Sequence, residues 1–258
     1  MVTNRQIPGA RVLPGIPEWE AAKGSSRPLG HSDAVRECAE LSEQYRRMWH
    51  LRSAGMVDLK AILQTLRDKK IPFVLTGAHG ISGWTGRPRA TQEVDILVKA
   101  GRNYARAVKA LQALYPSLET HQFAGVTGFF LPGEKVSLID VTYPHRRDIA
   151  ETLETAVWVE EGGQRYRVPA LEAALANKYG AMLTPNRDPG KRAIDAADFY
   201  FMVRNAGQEG RRPIDLDRVR DLGEMVWPGG GGAELLRFVQ EAKEGKVPNP
   251  IPPGEPPG

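Results

Sequence analysis

Two stretches in the first half of the chain decide the fold: FVLTGAHG at residues 73–80 and GRPRATQEVDILV at residues 86–98. The first stretch predicts a β-strand that runs into a glycine-rich turn, followed by a short helix or loop. The second predicts a strand on which Glu93 and Asp95, two residues apart, leave the same face. The apolar residues that alternate with these acids, from Val94 onward, are expected to line the opposite, buried face.

A third acid extends this pattern. Asp140 ends the β-rich run KVSLID at residues 135–140, which predicts a neighbouring strand of the same sheet. Carboxylates that share one face repel each other unless a cation lies between them, and Mg²⁺ prefers such oxygen ligands. We therefore expect Glu93, Asp95 and Asp140 to converge around a cation. The alternative is that all three are solvated strand acids that bind no metal.

The glycine turn, the acid-x-acid strand and the later strand acid together resemble the polymerase-β-like nucleotidyltransferase superfamily. The run GRPRATQEVD is similar to a segment of small bacterial nucleotidyltransferase-like proteins, including relatives of AbiEii-type toxins. The resemblance extends over residues 56–205 and implies transfer of a nucleoside monophosphate from an NTP. It also implies that Glu93 and Asp95 hold two Mg²⁺ or Mn²⁺ ions, while Asp140 holds the ion that activates the acceptor.

The glycine turn and the arginines after it are the expected phosphate contacts. Gly77 can adopt a positive φ, and a helix that starts near Gly80 would point its amides at an anion. The family usually has glycine or serine where this chain has Ala78, so a hydroxyl contact is missing and backbone amides must serve. Arg87 and Arg89 are interpreted either as phosphate-binding residues or as solvent-exposed loop arginines.

A lysine lies on the apolar stripe of the predicted helix LEAALANKYGAM at residues 171–182. Lys178 therefore needs a charged partner or must reach solvent. Related proteins carry a lysine in this helix, and the resemblance implies that it meets the nucleotide phosphates. Asp195 and Asp198, three residues apart on one helix face, are expected either to orient Lys178 or an arginine or to be solvated. The family often has lysine where this chain has Ile194.

The composition changes along the chain and predicts four segments of an α+β protein. Residues 1–30 are rich in Pro, Gly and Ser and are expected to be flexible. Residues 31–168 are expected to form a nucleotidyltransferase-like core, a mixed β-sheet with flanking helices. Residues 169–246 are expected to be a helical C-terminal part. Residues 247–258, with six prolines, are expected to be a flexible tail.

Hydrophobic periodicity and turn residues give the individual elements. The glycine run 229–232 is interpreted as a flexible connector between helices. Helices are predicted at 32–52 with Ser32 as the N-cap, 58–69, 104–114, from Pro169 onward, 192–204, 214–225 and 233–243. Strands are predicted near 72–76, 126–131, 135–142, 156–160 and 164–168.

The composition indicates where in the cell the protein is located and which kinds of site it can contain. In 258 residues, Lys and Arg outnumber Asp and Glu by 35 to 31, which is a mild indication of an anionic partner. Cys38 is the only cysteine, so a disulfide framework and a cysteine-based zinc site are excluded. The sequence has no signal-peptide pattern and no apolar run of about 18 residues, so we expect a cytoplasmic protein with no membrane partner.

The sequence thus favours a magnesium-dependent, nucleotide-binding transferase that uses an NTP. Its acceptor is expected to be tRNA or other RNA, a protein hydroxyl, or a small molecule. The resemblance to toxins implies a role in a toxin–antitoxin pair, with a cognate antitoxin as partner. The alternatives are a non-catalytic nucleotide- or RNA-binding protein on the same fold and a purely structural domain that binds neither.

Overall fold

The computed structural model describes residues 30–49, 51–161, 164–208 and 211–249. Nearly all of the two segments predicted to be flexible lies outside these residues. The helices are α1 (His31–Met48), α2 (Leu59–Asp68), α3 (Gly77–Thr85), α4 (Arg102–Leu114), α5 (Arg147–Thr155), α6 (Leu171–Leu183), α7 (Pro189–Ala206), α8 (Leu216–Val226) and α9 (Gly231–Lys243). The strands are β1 (Phe73–Leu75), β2 (Val94–Val98), β3 (Glu119–Phe123), β4 (Val126–Phe130), β5 (Ser137–Thr142), β6 (Val157–Glu161) and β7 (Gln164–Val168).

Five of these strands form one mixed sheet in the order β1-β2-β5-β4-β3. The central pair, β2 and β5, is parallel, and the other pairs are antiparallel. The strands β6 and β7 form an antiparallel hairpin that lies against β1. The predicted α+β class, a mixed sheet with flanking helices followed by a helical part, is confirmed.

Two apolar clusters stabilise the structure. The first lies against the sheet, where Ile96 and Val141 pack with Leu66 of α2 and Leu111 of α4. The second fills the space between α6, α7, α8 and α9, and it includes Ile81 of α3. Because α3 starts at the sheet and packs into the helical cluster, it joins the two parts.

No helix in the described part of the chain is both long and apolar enough to cross a membrane.

Three element predictions need correction. The first helix begins at His31 with Gly30 as its N-cap, instead of Ser32, and it ends at Met48, well before residue 52. The strand β3 was not predicted because all of its residues are exposed, so it has no hydrophobic pattern. Its backbone pairing with β4 holds it in the sheet. The helix α5 was also missed, since it buries only one strongly apolar residue, Leu153.

The prediction of a flexible glycine connector is wrong at its C-terminal half. Gly231 and Gly232 belong to the first turn of α9 and are buried. A Cβ on Gly223 of α8 would lie 2.5 Å from the carbonyl oxygen of Gly231. The absent side chains therefore allow the backbones of α8 and α9 to touch.

Replacing Gly223 by alanine should separate these two helices. We expect Gly223→Ala to lower the free energy of unfolding by about 1–3 kcal/mol, because the new methyl group meets backbone that cannot rotate away. Gly207→Ala is the control, since its Cβ would make ordinary contacts at 3.7 Å. Urea denaturation measures both. Equal, small effects would show that the α8–α9 contact is not tight.

Candidate active site

Asp95 and Asp140 are direct neighbours in the parallel β2–β5 pair. Because strands in a sheet are about 4.8 Å apart and paired residues point to the same side, the two carboxylates lie on one face. Glu93 directly precedes β2 and lines the same cavity. The structure thus brings the three sequence-predicted acids together.

This cavity, which we call the acid cleft, has a volume of about 470 Å³. Its walls come from α1, α3, the loop before β2, β5, α6 and the start of α7. The lining residues are Tyr45, Gly77, Ala78, Arg89, Ala90, Thr91, Gln92, Glu93, Asp95, Val136, Asp140, Lys178, Arg187, Lys191, Ile194 and Asp195. Small-ligand sites in proteins have volumes of about 300–1,000 Å³, so the cleft can hold one nucleotide-sized molecule.

Burial and neighbouring negative charge raise the pKa values of Asp95 and Asp140. The pKa of the Asp95 carboxyl is raised to about 7, first by burial and then by repulsion from Asp140 and Glu93. The pKa of Asp140 is raised to about 6, chiefly by burial and also by Glu93, although a hydrogen bond with Ser137 opposes the shift. Carboxyls with raised pKa values are held against electrostatic repulsion, so a positive charge between them would be stabilising.

A lysine of the chain itself supplies part of that positive charge. The ammonium of Lys191, in the first turn of α7, lies 3.1 Å from an oxygen of Glu93. Over the residues that the structure describes, no group of three or more His, Cys, Asp or Glu side chains forms a set that could hold a metal ion as it stands. The three acids are donors of the type that Mg²⁺ or Mn²⁺ requires. Their gathering around one ion stays a prediction, because Glu93 is paired with Lys191.

Gly77 lies where α3 begins, directly against Asp95. Its φ of +58° is in the left-handed region, and a Cβ at this position would overlap the Asp95 carboxylate. The strand end is also fixed by the backbone, since the N–H of Thr76 donates to the carbonyl oxygen of Asp95 at 2.9 Å. The first turn of α3, with Ala78, lines the cleft, so its unpaired amides are available to an anion.

Lys178 meets two acids of the next helix. Its ammonium lies 2.8 Å from Asp195 and 2.7 Å from Asp198, and the side chain is only 12% exposed. Arg187 also binds Asp195, and Arg89 makes a two-pronged contact with Asp198 at 3.0 and 2.9 Å. Lys178 was expected near Asp195 or Asp198 and contacts both, and the two acids orient arginines as well. Its role in binding a nucleotide stays a prediction.

Arg87 is not among the residues that line the cleft. Its side chain is exposed, and its guanidinium lies 4.5 Å from the centre of the Phe201 ring. The structure therefore separates it from Arg89, and its position gives no support to phosphate binding. Arg89 is at the cleft, but much of its charge is already used by Asp198.

The cleft residues that were not chosen from the sequence include Tyr45, Arg187 and Lys191. Arg187 and Lys191 precede Asp195 by eight and four residues, so basic residues leading into that acid were the available signal. Tyr45 gave no signal, because its approach depends on how α1 packs beside the loop before β2.

Helix α1 holds that loop through its backbone. The guanidinium of Arg46 donates to the carbonyl oxygen of Gln92 at 3.0 Å, and the N–H of Thr91 donates to the hydroxyl of Ser42 at 2.9 Å. The thiol of Cys38 donates to the carbonyl oxygen of Arg89 at 3.1 Å. These contacts fix the segment that leads into Glu93.

No protein-family model matches this chain, and no curated protein matches it. The solved structures that resemble it include nucleotidyltransferase-like proteins. An antigenic nucleotidyltransferase-like protein from Paracoccidioides brasiliensis is 18% identical, with a TM-score of 0.46 over 73% of this chain and 91% of that one. The antibiotic-resistance factor ANT(2″)-Ia is 12% identical, with a TM-score of 0.42 over 64% of this chain and 86% of that one. JHP933 from Helicobacter pylori is 18% identical, with a TM-score of 0.39 over 64% of this chain and 71% of that one. Similarity at these identities and TM-scores assigns no function, so we infer the function from the geometry of the cleft.

The effect of Gly77 on Asp95 can be measured by substitution. We expect Gly77→Ala to lower the free energy of unfolding by more than about 1 kcal/mol, because it adds overlap with the Asp95 carboxylate to the strain of a positive φ. Gly133→Ala isolates the strain, since Gly133 has a φ of +81° and nothing lies within 4 Å of its Cβ position. Chemical denaturation should rank Gly77→Ala as the more costly. The reverse order would contradict the close approach.

The raised pKa of Asp95 gives a pH dependence of stability. Because its pKa rises from 3.8 to about 7 on folding, the folded protein binds more protons than the unfolded chain in this window. The free energy of unfolding should therefore fall as the pH rises from 4 to 7. Asp95→Asn removes this titration and should be more stable than the parent at pH 8, by roughly 1–3 kcal/mol.

Urea denaturation at several pH values measures this effect. Asp217→Asn, which removes the same charge from a side chain that is 85% exposed, is the matched control. An Asp95→Asn protein that is less stable than the parent at pH 8 would mean that the carboxylate makes a needed hydrogen bond.

Proposed function

We propose that this chain is a cytoplasmic, metal-dependent nucleotidyltransferase that moves a nucleoside monophosphate from an NTP to an acceptor hydroxyl. The observation that carries the proposal is the pairing of Asp95 with Asp140 on adjacent parallel strands, with Glu93 in the same cleft. Nucleotidyl transfer needs carboxylates in this arrangement to neutralise the triphosphate and to orient the acceptor.

The nucleotide would lie between the start of α3 and the cations of α6 and α7. The first amides of α3 are available to a phosphate, while the space beside Gly77 is taken by the Asp95 carboxylate. Two of the three N–H donors of Lys178 meet Asp195 and Asp198, and the third can meet a phosphate oxygen. Arg187, which is one-third exposed, can turn toward the phosphates from Asp195.

Mg²⁺ or Mn²⁺, held by Glu93, Asp95 and Asp140, would supply neutralisation of the triphosphate and activation of the hydroxyl. Lys191 must release Glu93 for this to occur. In the transfer, the acceptor oxygen bonds to the α-phosphorus and the bond to the β-phosphate oxygen breaks, so pyrophosphate leaves. The hydroxyl proton would pass to a carboxylate oxygen of Asp140.

The acceptor is an RNA, a protein or a small molecule. The resemblance to AbiEii-type toxins supports a toxin role with a cognate antitoxin. The second candidate function is nucleotide binding without catalysis. It is favoured by the ion pair of Glu93 with Lys191. It is also favoured by Ala78, which stands where the family that the sequence resembles usually has glycine or serine.

Metal and nucleotide should stabilise the protein together. We expect Mg²⁺ plus an NTP to raise the melting temperature of the wild-type protein, because ligands that bind only the folded state stabilise it. Asp95→Asn should lose the Mg²⁺-dependent part and all transfer, whereas Asp217→Asn should behave as the wild type. The measurements are thermal melts and incubation with labelled NTPs, Mg²⁺ and total cellular RNA.

The outcomes separate the two functions. Stabilisation by NTP without labelled RNA, labelled protein or released pyrophosphate would favour the non-catalytic binding protein. A wild-type protein whose melting temperature does not change with metal or nucleotide would contradict both candidate functions.

A further inference from the structure

The rim of the acid cleft carries apolar side chains from three separate elements. Val136, just before β5, is 43% exposed, and Ile194 of α7 is 45% exposed, yet both line the cleft together with Tyr45 of α1. Trp49, at the end of α1, extends this surface: it is 51% exposed and its ring centre lies 6.3 Å from that of Tyr45. We call these four residues the apolar rim.

Single exposed apolar residues are ordinary on protein surfaces, but a group around one polar cavity indicates a ligand. The floor of the cleft is charged, because it consists of the acids and Lys178. The rim, by contrast, offers two aromatic rings and two aliphatic side chains, which suit the faces of flat rings. Ile194 makes the wall on the side of α7 apolar.

Each part of the rim has a cation within three residues along the chain. Lys135 directly precedes Val136 and is exposed. Lys191 lies three residues before Ile194, on the same face of α7. Arg52, three residues after Trp49, is 65% exposed and contacts Glu134, beside Lys135, at 3.4 Å. Aromatic or aliphatic platforms interleaved with cations are the pattern that binds single-stranded nucleic acid, with bases stacked and phosphates paired.

The size of the cleft separates the acceptor from the donor nucleotide. A volume of about 470 Å³ holds one nucleotide-sized molecule, so a polymeric acceptor must lie over the rim and extend only its end inward. Thr91 and Gln92, which also line the cleft, have side-chain groups able to hydrogen-bond a ribose 2′-hydroxyl, the group that distinguishes RNA from DNA.

We infer that the apolar rim binds the unpaired 3′ end of an RNA strand and presents its terminal hydroxyl to the acids of the cleft. This inference rests on the proposed function and names its acceptor class. The terminal oxygen bonds to the α-phosphorus of the NTP, pyrophosphate leaves, and the hydroxyl proton passes to Asp140. The product is an RNA longer by one nucleotide.

RNA binding without metal or NTP tests the rim independently of catalysis. The probe is a labelled, unstructured RNA of about 12 nucleotides, which is within the usual site size, followed by fluorescence anisotropy. We expect Trp49→Ala and Ile194→Asp each to weaken binding by about tenfold, the scale of one lost base stack. A blunt RNA duplex of the same sequence should bind at least about tenfold more weakly than the single strand, since its bases cannot stack on protein rings.

Two matched controls locate the effect. Trp158→Ala removes another exposed tryptophan, 59% exposed on β6, where Arg165 lies over its ring. Leu216→Asp makes the same kind of charge change as Ile194→Asp at a residue of α8 that is 44% exposed. Both should bind the RNA as the wild type does. Melting curves of all four variants confirm that each is folded.

Several results would overturn the inference. Equal weakening by Trp158→Ala would move the RNA to the β6–β7 hairpin, and equal affinity for a DNA strand of the same sequence would remove the assignment to RNA. Absence of RNA binding by a protein that is still stabilised by Mg²⁺ and NTP would exclude this acceptor but leave the proposed function standing. A protein that binds no RNA and is not stabilised by metal and NTP would contradict both this inference and the proposed function.

Discussion

Asp95 and Asp140 face each other across the parallel β2–β5 pair, and like charges at this spacing repel. The surroundings of the cleft follow from that repulsion. Gly77 has no side chain because the Asp95 carboxylate occupies the space where a Cβ would lie. Lys191 reaches across from α7 to pair with Glu93. The chain thus balances a concentration of negative charge with groups from elements far apart in sequence.

The helical part completes the cleft. The sheet supplies the acids, but Lys178, Arg187 and Lys191 all come from α6, α7 and the turn between them. Asp195 and Asp198, which hold two of these cations and Arg89, are almost fully buried. Buried ion pairs contribute little net stability, but breaking one leaves an uncompensated charge. Their effect here is to fix where the cations stand relative to the acids.

Much of this site could be predicted from local sequence. The alternation around Asp95, the strand that carries Asp140 and the apolar stripe that carries Lys178 all have short-range periods, which a sequence shows directly. The separation of Arg87 from Arg89 could not be predicted, since two loop arginines look alike until packing against Phe201 and Asp198 distinguishes them. The strand β3 was hidden for another reason: backbone pairing stabilises it, and its side chains carry no pattern.

The close glycine packing of α8 and α9 shows the same limit, because a glycine run in sequence is equally typical of a flexible segment and of touching helices. Contacts between elements distant in sequence decide such cases.

The contacts that α1 makes with the loop before β2 have a consequence for how this protein can change. Arg46, Ser42 and Cys38 all hold the loop through main-chain atoms. The side chains of Thr91 and Gln92 contribute nothing to those contacts, although both line the cleft. They can therefore be replaced without releasing the loop, and selection or protein engineering can alter what the cleft accepts while the acids stay in register.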